Sequence, residues 1–272
     1  MALSILNNIA SLKAENQLSI TSSNLQNTLT QLSSGSKINS GADDAAGLAI
    51  ADGLQANVTA LSQSTSNAND GIGALQVADG ALAQVTNLLN RSVTLATEAA
   101  NGTVSDSQRT AIQAEFAQIQ AEIDSIGTNT TFNGTSVFTA SQTSVFLSDG
   151  NSASMIAVTT GEVSASGLGL TSGIDLSSSD DAQNALTAID NAIAGVASTR
   201  GTIGADINRL SAAVNVQTVQ VQNLTSAEDS ITAADIPTEV ANLNKFNILQ
   251  QTGIAALAQA NSSQQAVLKL LQ

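Results

Sequence analysis

Leucine or alanine recurs at every seventh position over a long stretch of the chain. The positions are Leu54, Leu61, Ala68, Leu75, Leu82, Leu89 and Ala96. A seven-residue repeat keeps one apolar stripe of a helix turned towards a partner helix over many turns, which is typical of a coiled coil. The pattern predicts a long helix that begins near the paired residues Asp43 and Asp44 and ends at Asn101 and Gly102, a pair that favours helix termination.

A second stretch carries apolar residues that are alternately three and four positions apart. Its members are Leu186, Ile189, Ile193, Val196, Ile203, Ile207, Leu210, Val214, Val221 and Leu224. Arg200 and Gln217 interrupt the stripe. We expect the two stretches to pair lengthwise as a rod, because each needs a partner for its stripe. The predicted rod core consists of Leu54, Leu61, Leu75, Leu82, Leu89, Ile193, Ile207, Leu210 and Val214.

Both ends of the chain carry helices with a narrower apolar stripe and otherwise polar faces. In the first helix, from about Ser4 to Leu32, the stripe contains Leu18, Leu25, Leu29 and Leu32. In the last helix, which follows Pro237, it contains Ile254, Leu257, Leu268 and Leu271. Two such helices bury too little apolar surface alone, since a helical core normally needs three or more. We therefore expect these residues to form the seams of a terminal stem that becomes ordered when copies of the chain assemble.

The two remaining segments differ in composition and in the secondary structure that they predict. Ser105 and Gln108 have the spacing of a capping box and open a third helix, which we expect to end at Gly127. Residues 128–179 are rich in Ser, Thr and Gly, with short β-type runs around Asp149 and Gly150, a hairpin turn signal.

The sequence thus predicts a mainly α fold, with a long antiparallel coiled-coil rod, a small β-hairpin insert and paired terminal helices. The expected domains are a stem of 1–42 and 230–272, a rod of 43–127 and 180–229, and a small β-rich segment of 128–179.

The composition excludes most enzyme mechanisms and argues against nucleic-acid binding as a function of this chain. The chain has no cysteine and no histidine, so thiolate chemistry, the usual zinc ligand and a Ser–His–Asp triad are excluded. Asp43 and Asp44 have the position of helix caps rather than of a catalytic pair. The net charge of −14, with eight basic residues, leaves no basic patch for nucleic acid or for an anionic membrane. We expect no catalytic residue, metal or cofactor, and a protein that is not an enzyme.

The N-terminus has neither a basic start nor a continuous apolar block, so we expect no cleaved signal peptide. No stretch approaches the roughly 18 apolar residues of a membrane span. By these patterns the protein is either cytoplasmic or exported by a route without a cleaved signal.

Several segments at both ends of the chain resemble bacterial flagellin. The segment from Leu32 to Ala51 is similar to the family's N-terminal signature. Further matching segments are Asn67–Gly71, Phe132–Gly134, Ala185–Asp190, Gly204–Leu210, Thr238–Leu243, Ile248–Gln251, Leu257–Asn261 and Leu268–Leu271. Three positions, Ala42, Ser230 and Gln272, depart from the family's usual residues. The large outer domains of many flagellins are missing, so the chain resembles a minimal flagellin.

The resemblance implies a structural subunit that leaves the bacterium unfolded and polymerises into the extracellular flagellar filament, whose rotation drives swimming. The partners it implies are further copies of the chain, a flagellar export chaperone, and cap and hook-associated proteins. Flagellin rods similar to this one can also bind a host Toll-like receptor, and Arg91, Leu95 and Glu115 occupy the matching positions. The alternative is that Leu95 and Glu115 serve filament packing and surface solvation. The Ser- and Thr-rich segment is a candidate for O-linked sugars.

Two further classes of structural protein and one class of enzyme compete with this interpretation. A hook–filament junction protein has similar ends. A coiled-coil component of an injection apparatus needs a long apolar hairpin or a much shorter chain. A metalloprotease insert, as in some flagellins, needs a His-Glu-x-x-His helix, which a chain without histidine lacks.

Overall fold

The computed structural model describes residues 8–140, 143–148, 153–170 and 174–270. Within these ranges the chain forms five helices and four short strands. The helices are α1 (Ile9–Ser34), α2 (Ala45–Ala99), α3 (Asp106–Asn129), α4 (Ser179–Thr232) and α5 (Ile236–Leu270). The strands are β1 (Thr131–Phe132), β2 (Thr135–Ser136), β3 (Thr143–Ser148) and β4 (Ala153–Val158). The predicted mainly α fold with long helices and a small hairpin insert is confirmed.

Two helices run further than their sequence signals predict. Gly127 lies inside α3 instead of ending it, and α4 continues beyond Leu224, the last residue of its apolar repeat, through a polar stretch to Thr232. In that stretch the hydroxyl of Thr232 donates to the carbonyl of Glu228 (3.0 Å) and that of Ser230 donates to the carbonyl of Ala227 (2.8 Å). Such bonds let hydroxyl residues remain in a helix instead of forming a turn.

The chain divides into two compact units, 1–56 with 223–272, and 57–222. In the second unit, α2 and α4 run antiparallel, since Thr65 contacts Gln217 and Asp79 contacts Arg200. The core of this unit is a continuous cluster of mostly aliphatic side chains, contributed by α2, α3, α4, the β3–β4 hairpin and the segment between β4 and α4. Burial of this cluster is the main stabilising term of the unit.

The strands form two antiparallel pairs. Strands β1 and β2 are joined by Asn133 and Gly134, both with positive φ (49° and 76°), which is the backbone of a tight hairpin turn. Strands β3 and β4 pair over six residues, with Phe146 opposite Met155. The predicted hairpin is therefore present, while its turn signal at Asp149 and Gly150 lies outside the described residues.

The chain between β4 and α4 lies against α3, where side chains of α3 bind its backbone. The amide of Ala165 donates to Asp124 (2.7 Å), that of Leu176 donates to Gln113 (2.8 Å), and Gln120 donates to the carbonyl of Leu170. A Cβ on Gly127 would lie 1.7 Å from the carbonyl oxygen of Val163. Gly127 thus permits the close approach of this segment to α3.

Candidate functional site

The terminal helices α1 and α5 pair antiparallel within the unit of 1–56 and 223–272. Near the start of α1, the side-chain amide of Asn8 donates to the carbonyl of Ala260 (3.2 Å) and the hydroxyl of Ser11 donates to the side-chain oxygen of Asn261 (3.1 Å). Further along, Gly253 faces Leu18, whose side chain would lie 3.2 Å from an added Cβ. The first and last helices of the described chain therefore form one antiparallel pair.

The seam of this pair alternates aliphatic and polar residues. Leu18, Leu25, Leu32 and Leu257 are half-buried in it, and Thr21 and Thr28 are fully buried between the leucines of α1. The apolar pattern does not predict the two threonines as seam residues, because a hydroxyl group at a stripe position interrupts that pattern. Thr21 satisfies its hydroxyl by donating to the carbonyl of Gln17 (2.8 Å) within α1, so only its methyl group needs an apolar neighbour.

Other apolar side chains of α1 and α5 face solvent in the single chain. Among them are two predicted seam residues, Leu29 and Ile254. The remaining large ones are Ile9, Leu12, Ile20, Ile236, Val240, Ile248 and Leu249. Among the described side chains of the two helices, none of the hydrophobic ones is fully buried. The side chain of Leu268 and all of Leu271 lie outside the described residues, so the assignment of these seams stays a prediction.

The connections next to this helix pair are tied together by backbone bonds. The amide of Lys37 donates to the carbonyl of Thr232 (2.8 Å), and that of Ala234 donates to the carbonyl of Gly35 (3.0 Å). Gly35, with φ of 72°, supplies the left-handed residue that ends α1. The link from α1 to α2 and the link from α4 to α5 thus form one small ladder.

The paired aspartates before α2 have two different tasks. Asp44 caps the helix, accepting from the amides of Ala46 (3.1 Å) and Gly47 (2.9 Å), as predicted. Asp43 instead holds the preceding loop, accepting from the amides of Asn39 (3.0 Å) and Ser40 (2.8 Å). These hydrogen bonds, first that from Asn39, lower the pKa of Asp43 below its usual 3.8. Both carboxylates are used structurally.

The residues predicted for the rod core fall into two groups. Leu61, Leu75, Leu82, Leu89 and Leu210 are buried. Ile193, Ile207 and Val214 are half-buried against that core, and Leu54 is half-buried in the other unit.

The two polar interruptions of the second repeat make polar contacts with α2. Arg200 forms a fork with Asp79, with N–O distances of 2.7 and 3.3 Å, and hydrogen bonding to that carboxylate raises the pKa of Arg200. The side-chain amide of Gln217 donates to the hydroxyl of Ser64 (2.6 Å) and to the carbonyl of Ser148 in β3 (3.4 Å). Both residues thereby fix the register of α4 against α2.

The three residues proposed as receptor contacts do not share one surface. Arg91 and Glu115 form an exposed ion pair, with an N–O distance of 2.7 Å, and the hydrogen bond from Arg91 lowers the pKa of Glu115. Leu95 is 1% exposed and belongs to the core of its own unit. Receptor contact stays a prediction for the ion pair alone.

A buried arginine that sequence analysis overlooked closes the C-terminus of α2. Arg109 donates from Nε to the carbonyl of Ala99 (2.9 Å) and from its terminal nitrogen to the carbonyl of Asn101 (3.1 Å). Its other terminal nitrogen pairs with Asp106 (3.0 Å). A cation at a helix C-terminus satisfies orphan carbonyls and favours the dipole. Its only sequence signal is its position just after Asn101 and Gly102.

The described residues contain no cluster of three or more acidic, histidine or cysteine side chains able to hold a metal ion. Across the same part of the chain, no helix combines the length and the apolar character needed to cross a membrane.

Both halves of the helical framework match models of one protein family. Residues 5–143 match the bacterial flagellin N-terminal helical region, and residues 186–271 match the bacterial flagellin C-terminal helical region. The chain therefore belongs to the bacterial flagellin family.

Relatives match over nearly the whole length. A flagellin of Halalkalibacterium halodurans is 34% identical, over 97% of this chain and 98% of the relative. The flagellar filament 30.7 kDa core protein of Treponema maltophilum is 33% identical, with the same coverage. The crystal structure of Bacillus cereus flagellin superposes with a TM-score of 0.50 and 30% identity, over 60% of this chain and 94% of that one. The chain is thus similar in length to the Halalkalibacterium halodurans and Treponema maltophilum relatives.

Proposed function

We propose that this protein is a structural subunit that polymerises with copies of itself into the filament of the bacterial flagellum. The observation that carries the proposal is the terminal helix pair, which joins both ends of the chain and leaves much of its apolar surface uncovered. The family match supports a flagellar filament as the assembly, since relatives that match 97% of this chain are named flagellin or flagellar filament core protein.

The uncovered side chains require a partner. Ile9, Leu12 and Ile20 of α1, and Ile248 and Ile254 of α5, face solvent in the single chain. A two-helix pair has no second layer to cover such residues, whereas a bundle of several pairs has one. Further copies of the same chain provide those pairs. We therefore propose the stem of 1–42 and 230–272 as the part that bundles in the assembled filament.

Further expectations complete the proposal. The subunit is exported unfolded to an extracellular filament, and it meets an export chaperone and cap and hook-associated proteins. It carries no catalytic activity or cofactor. Arg91 and Glu115 are the candidate contacts for a host Toll-like receptor, because their side chains are about half exposed. A hook–filament junction protein is less well supported, since the named relatives belong to filaments.

The decisive experiment seeds purified full-length monomer with filament fragments and follows elongation by electron microscopy. The intact chain is expected to extend the seeds, and a variant that lacks 1–40 and 230–272 is expected not to. Limited proteolysis tests coupled ordering, because protease should trim those segments in the monomer and spare them in the polymer. Normal fibres from the shortened variant, or equal trimming in both states, would overturn the proposal.

A further inference from the structure

The chain contains the tripeptide Asn-Gly-Thr twice, at 101–103 and at 133–135. Asparagine before glycine is prone to deamidation, because the glycine nitrogen can attack the side-chain carbonyl carbon and glycine has no side chain that blocks the approach. Identical tripeptides have similar intrinsic reactivity. A large difference between the two sites in the folded protein therefore has to come from their surroundings, and the structure gives them different ones.

The first copy lies in the exposed connection between α2 and α3. The side-chain oxygen of Asn101 accepts a hydrogen bond from the backbone amide of Thr103 (3.1 Å), which folds the side chain over the intervening Gly102. Among the described residues, no hydrogen bond takes up the amide of Gly102, and a Cβ built on this glycine would have open space around it. The glycine nitrogen is therefore unobstructed beside a carbonyl group that is already polarised.

The main-chain carbonyl of Asn101 also has two hydrogen-bond donors. It accepts from the backbone amide of Val104 (3.1 Å) and from a terminal nitrogen of the buried guanidinium of Arg109 (3.1 Å). Donors aimed at a carbonyl oxygen stabilise the negative charge that develops there when a nucleophile adds to the carbon. Both carbonyl groups of Asn101 are thus prepared for attack, and a fixed cation lies at one of them.

The second copy lacks these donors. Asn133 and Gly134 form the two-residue turn between β1 and β2, with φ of 49° and 76°. Phe132 pairs with Thr135 across the turn. Within the described part of the chain, no donor reaches the side-chain or the main-chain oxygen of Asn133. Attack at this site also has to distort a turn that the paired strands hold on both sides.

We propose that Asn101 is a self-modification site, at which the folded chain converts asparagine to isoaspartate. In the first step the nitrogen of Gly102 bonds to the side-chain carbonyl carbon of Asn101. The side-chain nitrogen leaves as ammonia and takes the proton of the Gly102 amide. The product is a five-membered cyclic imide, and the amide of Thr103 stabilises the charge on the side-chain oxygen during the attack.

Water completes the reaction at the main-chain carbonyl of residue 101. It adds to that carbon, whose bond to the nitrogen of Gly102 breaks, and the nitrogen takes a proton from the water and stays bonded to the former side-chain carbon. The main-chain carbonyl becomes a carboxylate, which Arg109 favours because its guanidinium already binds this oxygen. In sum, an amide and water become a carboxylate and ammonium, without oxidant, metal or cofactor. The modified chain carries one more negative charge at the connection from α2 to α3.

Ageing of the unmodified full-length protein gives the first test. Trypsin cuts after Arg91, Arg109 and Arg200, so the two sites fall in separate peptides, and mass spectrometry measures the conversion of each. We expect Asn101 to convert at least about tenfold faster than Asn133 in the folded protein, and at a similar rate in urea. Equal rates in the folded protein, faster conversion of Asn133, or an excess at Asn101 that persists in urea would overturn the inference.

The ratio of isoaspartate to aspartate tests the action of Arg109. Hydrolysis at the other carbonyl of the imide gives ordinary aspartate, and electron-transfer fragmentation distinguishes the two products. We expect a larger share of isoaspartate at residue 101 in the folded protein than in urea. Equal shares in the two states would show that the guanidinium does not direct the hydrolysis and would overturn that step.

Gly102→Ala is the matched variant, because a methyl group slows the attack and the open space at this position accommodates it. Its circular dichroism should match that of the wild type. Conversion at Asn101 should become too slow to detect over the same period, while conversion at Asn133 should be unchanged. Continued conversion at residue 101 would show a route that does not use the nitrogen of Gly102 and would overturn the mechanism. The reaction needs one chain alone, so its outcome is independent of filament formation.

Discussion

The side-chain amide of Gln217 donates to the hydroxyl of Ser64 across the interface of α4 and α2, over 2.6 Å. The same hydroxyl accepts from the backbone amide of Ser148 (2.9 Å), so one buried polar contact joins two helices and strand β3. Gln217 is only 6% exposed. A polar residue in an apolar seam lowers the stability of a bare coiled coil but fixes its register, and here it also fixes the hairpin.

Replacing Gln217 with leucine restores the apolar repeat yet removes these bonds. We expect Gln217→Leu to lower the free energy of unfolding of the full chain by about 1–3 kcal/mol, because Ser64 loses a buried partner. Denaturation followed by circular dichroism measures it. Gln220→Leu makes the same chemical change at an exposed position and should alter stability by less than about 0.5 kcal/mol. A more stable Gln217→Leu protein would show that the apolar seam outweighs the network.

The buried guanidinium of Arg109 is predicted to be irreplaceable by lysine. Arg109→Lys keeps the charge but cannot reach both carbonyls, at Ala99 and Asn101, so unfolding should become easier by about 2–3 kcal/mol. The control is Arg209→Lys, whose side chain is exposed and pairs with Asp206 one turn away. Urea unfolding midpoints that shift equally for both variants would contradict this role.

Two helix glycines should respond to alanine with opposite signs. In Gly127→Ala the new methyl group collides with the carbonyl of Val163, and we expect a loss of at least about 2 kcal/mol. Gly195 of α4 has open space where a Cβ would be, so Gly195→Ala should stabilise the protein by about 0.5–1 kcal/mol. Thermal unfolding of both variants tests the prediction, and equal melting temperatures would refute the tight contact.

The ion pair of Arg91 and Glu115 should be visible in a carboxylate titration. The hydrogen bond from Arg91 lowers the pKa of Glu115 in the folded chain below its usual 4.5. The pair therefore contributes stability above that usual value and loses it as the pH falls through the lowered pKa. In Arg91→Gln we expect the pKa of Glu115, measured by NMR titration, to rise towards its usual value. Arg209→Gln should leave that pKa unchanged. The effect on stability is small, since both side chains are exposed.

The exposed apolar face of α5 should affect assembly more than monomer folding. Ile248→Ser and Ile254→Ser remove side chains that face solvent in the single chain, so the circular dichroism of the monomer should not change. If neighbouring copies bury each isoleucine, its loss costs about 1.5–3 kcal/mol and raises the critical concentration for elongation tenfold or more. Gln251→Ser, at an exposed polar position, is the control. Equal critical concentrations for all three variants would exclude this face from the filament contacts.

Local sequence patterns were enough to predict the helices and the hairpin and to recognise the family. The seven-residue repeat of α2, the cap at Asp44 and the capping spacing at Ser105 are local signals, and the structure contains each of the predicted elements. These signals work because a helix begins, ends and orients its stripe according to residues within a few turns. The same reasoning found the apolar seam residues Leu18 and Leu257, which are half-buried between the terminal helices.

Only the tertiary structure shows which contacts the polar residues and the glycines make. Arg200 and Gln217 interrupt a repeat in the sequence, but in space they bind Asp79 and Ser64 more than a hundred positions away. Gly127 has the signal of a helix end, yet it admits the backbone of Val163. Leu95 has the position of a receptor contact and lies in the core. Periodicity records how one helix divides its faces, whereas the partner of each face depends on chain folding over long separations, which local sequence does not encode.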